Sequence, residues 1–238
     1  MRSTVDVAAA LRSGTTVLRR ARAGGHFAVR QTAPGTVHLV GTAAGPLGGD
    51  EVVIGIDVGA GAHLRIRSSA ATIVLPGRVD PVSRLRFDVR VAPGGRLDMA
   101  LEPTVVCAGA DHHVTTVVHL VDDAEATIRE DVVLGRAGEA PGSWTGTVHI
   151  VRDGVPLLRH TIPAHVLGNG PGAPRALISE VRTGTLADRA GTCGSAVILP
   201  LAAGGVLGTA TGADLTTARR DLRQAWAGVP RPARAPAG

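Results

Sequence analysis

From residue 50 to residue 101, apolar and polar positions alternate with a period of two. Val52, Ile54, Ile56 and Val58 share one parity, and Leu64 and Ile66 alternate with Arg65 and Arg67. Leu85, Phe87, Val89 and Val91 alternate with Arg84, Arg86, Asp88 and Arg90, and Leu97, Met99 and Leu101 with Asp98 and Ala100. Successive side chains of a strand point to opposite faces, so these runs predict half-buried strands with a charged outer face. Thr16 to Arg20, Phe27 to Gln31 and Thr36 to Thr42 are predicted short strands, the last two around Ala33-Pro34-Gly35, with residues 1–15 a loose start. After Pro163 the alternation weakens. Residues 168–174 read as a loop or hinge, followed by shorter strands at Ala176 to Arg182, Ala196 to Leu201 and Val206 to Thr211. One helix is predicted, with Asp214 as its N-cap and Leu215, Ala218, Leu222 and Trp226 along one face.

A longer period overlies the short one. Val58, Val91, Val121 and Val151 each precede a four-residue turn and a new strand, at separations of 33, 30 and 30 residues. Stacked units of near-constant length bury each other's apolar faces. The expectation is a mainly β fold: a stacked, solenoid-like two-layer β architecture with one or two short C-terminal helices. A meandering sandwich gives a similar spacing. Residues 1–228 are expected to form one β domain, and the Pro/Ala/Arg-rich residues 229–238 a disordered tail.

Composition fits strands and turns: 44% hydrophobic residues, 32 Gly and 15 Pro among 238 residues. With two Phe, two Trp and no Tyr, the core must be aliphatic. The net charge of +5 comes from Arg alone and is interleaved with 20 acids, while aromatic residues make up 2%. A nucleic-acid surface needs clustered basic residues and stacking platforms, so no nucleic-acid partner is expected. Cys107 and Cys193 form no CxxC, and neither a secretory apolar core nor an 18-residue apolar run occurs. The expectation is a cytoplasmic protein with reduced thiols and no membrane partner.

Polar residues in an apolar register mark candidate chemistry. Glu130 shares parity with Ala126, Ile128, Val132 and Leu134, and His160 with Leu158 and Ile162. Both are predicted to point inward, where a carboxylate must be paired, hydrated or bound to a cation. A local bulge, or an Arg partner for Glu130, would account for either without a polar interior. Asp111-His112-His113 resembles a metal site, but adjacent strand residues face opposite ways, and a surface loop is predicted. His119 falls outward, and His26, His38, His63 and His149 have no partner at ligand spacing. The chain contains neither a P-loop lysine nor GxSxG, and Cys193 has no base near it in sequence. Gly45-Pro46-Leu47-Gly48-Gly49-Asp50 predicts a tight corner before a strand, with Asp50 capping backbone N–H groups.

In their order these blocks resemble the urease accessory protein UreD family. Gly45 to Glu51 is similar to its glycine-rich turn, and Val58 to Ala62 with Ser69 to Thr72 to its next block. Glu130, Gly135, Arg136, Gly138 and Glu139 are similar to its E…GR…GE stretch, and Asp153 to Leu158 to its DG.PLL turn. The likeness covers about residue 14 to residue 165; the aromatic N-terminal block of the family is replaced by Ala21 to Gly35. The resemblance implies a non-enzymatic maturation scaffold with a stacked β fold and UreF-like, UreG-like and urease apoenzyme partners. It implies transient nickel(II) rather than a tightly bound cofactor, passing along an internal tunnel. By motif position, Asp50, Glu51 and Glu130 fall on tunnel-lining acids, and His160 on another acid. Two other readings stay open: a purely structural partner-binding protein using the exposed Arg faces and the Trp226 helix, and a β-stack hydrolase.

Overall fold

In the computed structural model, residues 1–168, 170, 172–184 and 190–227 are described. The first half of the chain holds β1 (Arg2–Arg12), β2 (Thr15–Ala23), β3 (Phe27–Ala33), β4 (Thr36–Gly41), β5 (Glu51–Val58), β6 (His63–Ser68), β7 (Thr72–Val74), β8 (Val82–Val91) and β9 (Arg96–Ala100). There follow β10 (Thr104–Val106), β11 (Asp111–Leu120), β12 (Glu125–Leu134), β13 (Ser143–Arg152) and β14 (Val155–Pro163). The chain then makes a short 3-10 turn at Ala164–Leu167, β15 (Ala176–Arg182), β16 (Gly191–Cys193), β17 (Ala196–Pro200), β18 (Val206–Gly212) and the helix α1 (Leu215–Ala227).

The strands form two facing sheets. The first has the order β14-β13-β11-β8-β5-β1-β2, and the second β16-β17-β18-β15-β12-β9-β6-β4-β3. β5, β8, β11 and β13 pair in parallel in the first sheet, as do β4, β6, β9 and β12 in the second. The turns after Val58 and Val91, and the one around Val121, carry the chain from the first sheet to the second. This is the stacked two-layer coil that the long period predicts. The fourth turn behaves differently: it joins β13 to β14 as an antiparallel hairpin within one sheet and ends the coil.

The predicted parity holds where it was clearest. Ile54, Ile56, Leu64, Ile66, Val89 and Val118 are fully buried between the sheets. Covering an aliphatic side chain in this way stabilises by about 1.5–3 kcal/mol each. The N-terminal residues are not a loose start. β1 lies between β2 and β5, with Ser3, Val5, Val7 and Ala9 turned inward; its alternation is built from small residues and is weak as a pattern. The Asp111-His112-His113 stretch is not a surface loop either, since it begins β11. Its apolar parity runs straight back from Leu120 through Val114 to His112, which is completely buried.

α1 begins as predicted, with Asp214 Oδ1 accepting the Thr217 N–H at 2.8 Å. Ala218, Leu222, Ala225 and Trp226 pack against β15, β17 and β18 in a second, smaller core on the outer side of the second sheet. Trp226 is buried there, with the Arg182 guanidinium 3.7 Å over its ring, so it fixes the helix rather than offering a docking surface. No described helix is long and apolar enough to cross a membrane. The predicted 229–238 tail, Asn169 and Pro171 lie outside the described residues.

Candidate functional site

The second sheet has a gap in its hydrogen-bond ladder. β9 pairs with β12 only as far as Ala100 and Arg129, and β10 resumes at Thr104 and Val132. Glu130 and Asp131 therefore lack a partner strand on that side, while β15 still pairs with them on the other. Behind the gap lies an internal cavity of about 50 Å³. That is room for a few water molecules. Its polar lining includes Glu130, His160, Glu102, Arg129 and Asp131 and several Ser and Thr hydroxyls, among apolar walls such as Phe87, Met99 and Leu101.

Parity alone thus brings Glu130 and His160 to the same space. β12 runs without a bulge; the irregularity between β13 and β14 falls before Leu158, leaving the count to His160 intact. No described residue hydrogen-bonds to the Glu130 carboxyl or pairs with it. Burial, and then the neighbouring Asp131 charge, push its pKa up to about 8. Burial also lowers the His160 pKa, and its Nε2 is enclosed without a partner. Gly146 on β13 packs close by: a Cβ there would lie 2.2 Å from the Trp144 ring and 3.2 Å from Glu130 Oε2.

Asp50 and Glu51 do not line this cavity. Asp50 Oδ2 accepts the Leu47 N–H at 2.8 Å and meets His26 Nε2 at 2.9 Å, while Oδ1 pairs with the Met1 amino group. Burial raises the Asp50 pKa, but the Met1 ammonium, the Leu47 N–H and His26 together outweigh it and hold it below the ordinary value. The capping role read from the sequence is present, and His26 does have partners, with Nδ1 2.8 Å from Ser3 Oγ. The corner needs its glycines. Gly49 has φ +85°, and a Cβ on Gly48 would lie 2.0 Å from the Asp80 carbonyl oxygen. Glu51, on the opposite parity, faces outward to Arg2 at 2.8 Å.

Two further cavities share walls with the first. One, of about 330 Å³, is lined by His26 and Gly45, and has Phe27, Leu39, Ser68 and Thr72 in common with it. The other, of about 460 Å³, is a cleft beside α1 that shares Leu101, Glu102, Arg129 and Asp131. Asp131 is the residue that sequence reasoning missed. It takes the outer parity of β12 yet is 3% exposed, held by Arg129 and by Arg219 of α1. The signal was an acid on a strand that an amphipathic helix must cover.

The Gly135–Glu139 segment is a closed loop away from these walls. Arg136 holds the Glu139 carboxyl down to about 2, and Arg175 Nη2 donates to the Glu139 carbonyl at 2.6 Å. His112 is a separate buried group, 2.8 Å from Ser83 Oγ, with its pKa lowered to about 4 by burial and by His113. Among the described residues, no three His, Cys, Asp or Glu side chains cluster as a metal cage would require.

The family model for the UreD urease accessory protein matches residues 1–237. The chain belongs to the UreD family. A UreD 1 urease accessory protein of Saccharopolyspora erythraea is 40% identical over 199 residues, covering 81% of this chain and 78% of that protein. A UreD protein of Frankia casuarinae is 53% identical over 108 residues, 45% of this chain, and one of Streptomyces coelicolor is 43% identical over 138 residues. The match spans only 34% and 36% of the length of the Frankia casuarinae and Frankia alni UreD proteins.

Proposed function

We propose that this chain is a non-enzymatic scaffold of urease maturation in the cytoplasm, docking on urease apoenzyme with UreF-like and UreG-like partners, and that nickel(II) crosses it along the row of cavities. The observation that carries this reading is the placement of Glu130 and His160 in the middle cavity of three that share walls. A carboxylate, an imidazole and a few hydroxyls suit passage, because too few donors converge to hold a divalent ion firmly. Nickel arriving at Glu130 displaces a proton from a carboxyl that is largely neutral near pH 7, so binding and release are linked to proton exchange.

The test is urease activation from purified apoenzyme, accessory proteins and nickel, with Glu130→Gln replacing the wild-type chain. The expected outcome is slower activation with the accessory complex still assembling. Full activation by a folded Glu130→Gln chain would leave a scaffold without an ion path.

A further inference from the structure

Pro103 writes the ladder gap into the sequence. A proline has no N–H to give to a strand partner. The chain leaves β12 after Ala100 and rejoins it at Thr104, with Leu101, Glu102 and Pro103 as the excursion. Within it the Glu102 N–H turns to Ser68 Oγ at 2.8 Å. Glu102 is exposed and borders both spaces that meet at the gap. One is the inner cavity, where the Glu130 carboxyl and His160 Nε2 lack partners; the other is the open cleft beside α1.

The acids around the gap differ in what they can still accept. Asp131 takes Arg129 Nε at 2.7 Å and Nη2 at 2.9 Å, and Arg219 Nε at 2.8 Å. A carboxylate offers about four lone-pair sites, so little of this one is left. Asp98 receives Arg67 Nη2 at 2.7 Å. Glu130 is free but enclosed, and near pH 7 it is largely neutral. The Glu102 carboxylate is exposed, with neither a hydrogen bond nor an ion pair among the described residues. Of the guanidiniums in the cleft, those of Arg67, Arg129 and Arg219 are engaged by Asp98 and Asp131, and Arg223 has no carboxylate partner among the described residues. A hydrated divalent cation in the cleft thus meets one free carboxylate beside one free guanidinium. A single carboxylate can hold such an ion with most of its water in place.

We propose that Glu102 is the carboxylate that takes the divalent cation on the solvent side of the ladder gap, ahead of Glu130 within. The assignment rests on the cation-path reading of the cavities. It is tested on the purified full chain by titrating nickel(II) calorimetrically. Glu102→Gln should weaken nickel binding about tenfold, the lower end for a lost contact at a metal site. Glu130→Gln should still bind nickel, because the outer carboxylate is intact. Glu125→Gln removes an equal charge from the outer face of the same sheet and should leave the affinity unchanged. Near-ultraviolet circular dichroism checks the fold, and Glu102→Ala carries the same test if Glu102→Gln misfolds. Wild-type affinity in a folded Glu102 variant, or an equal loss in Glu125→Gln, overturns the assignment. So does a lack of saturable nickel binding in the wild-type or the Glu130→Gln chain. A tenfold loss in Glu102→Gln combined with full urease activation by Glu130→Gln would instead overturn the ion path and leave Glu102 as a cation site.

Discussion

Asp50 and Glu130 are both acids enclosed by the same two sheets, and their surroundings drive them in opposite directions. Asp50 has an amino group, a backbone N–H and an imidazole on its two oxygens. Its pKa falls despite burial. Glu130 has none of these, and its pKa rises to about 8. A saturated carboxylate is part of the scaffold, because its lone pairs are spent on holding the chain. An unsaturated one destabilises the fold in its charged form and stays available to a ligand. The glycine-rich corner, the most conspicuous motif in the sequence, is on this comparison mainly structural.

The largest expected effect breaks the saturated site. Asp50→Ala removes one member of a buried ionic cluster and should cost about 3 kcal/mol of unfolding free energy, read by urea denaturation. A loss well under that would put Asp50 in the same class as Glu130. The second effect has the opposite sign. With a folded pKa near 8 against an ordinary 4.5, folded Glu130 holds a proton that the unfolded chain has released. Stability should therefore fall as pH rises from about 5 to 8, by at most about 1.4 kcal/mol per pH unit. Glu130→Gln should flatten that limb, seen as the difference between variant and wild-type denaturation curves above pH 6.5, where the opposing contribution of buried His112 has ended. The smallest effect sharpens the geometry. Gly146→Ala pushes a methyl group into the Trp144 ring and should cost about 1–3 kcal/mol, measured by thermal unfolding.

The coil and its interior were legible in the residues because alternation with large aliphatic side chains is unambiguous at Val52 to Val58 and Leu85 to Val91. The same count turned Glu130 and His160 inward without any knowledge of their neighbours. What parity cannot supply is the partner across a sheet. His26 and Asp50 are 24 residues apart in the chain, and Asp131 and Arg219 are 88 apart. β1 escaped notice because its inward row, Ser3, Val5, Val7 and Ala9, is half small residues. His112 escaped because two adjacent histidines cannot share one ion on a strand, which favoured a surface loop, although the inward row of β11 runs from Leu120 through Val118, Thr116 and Val114 to His112. Glu51 and Asp50 were placed by motif position, and consecutive residues on a strand cannot share one lumen.

The parallel ladders also order events during synthesis. In a coil, each strand of the first sheet finds its neighbour about 30 residues later, so a ribosome must deliver one full turn before the next contact can form. The walls around Glu130 come from β3 through β18, and all of these leave the ribosome before α1. The helix that bears Arg219 is thus the last described element to be made. The cavities between the sheets are thus walled before the small core under α1 can form.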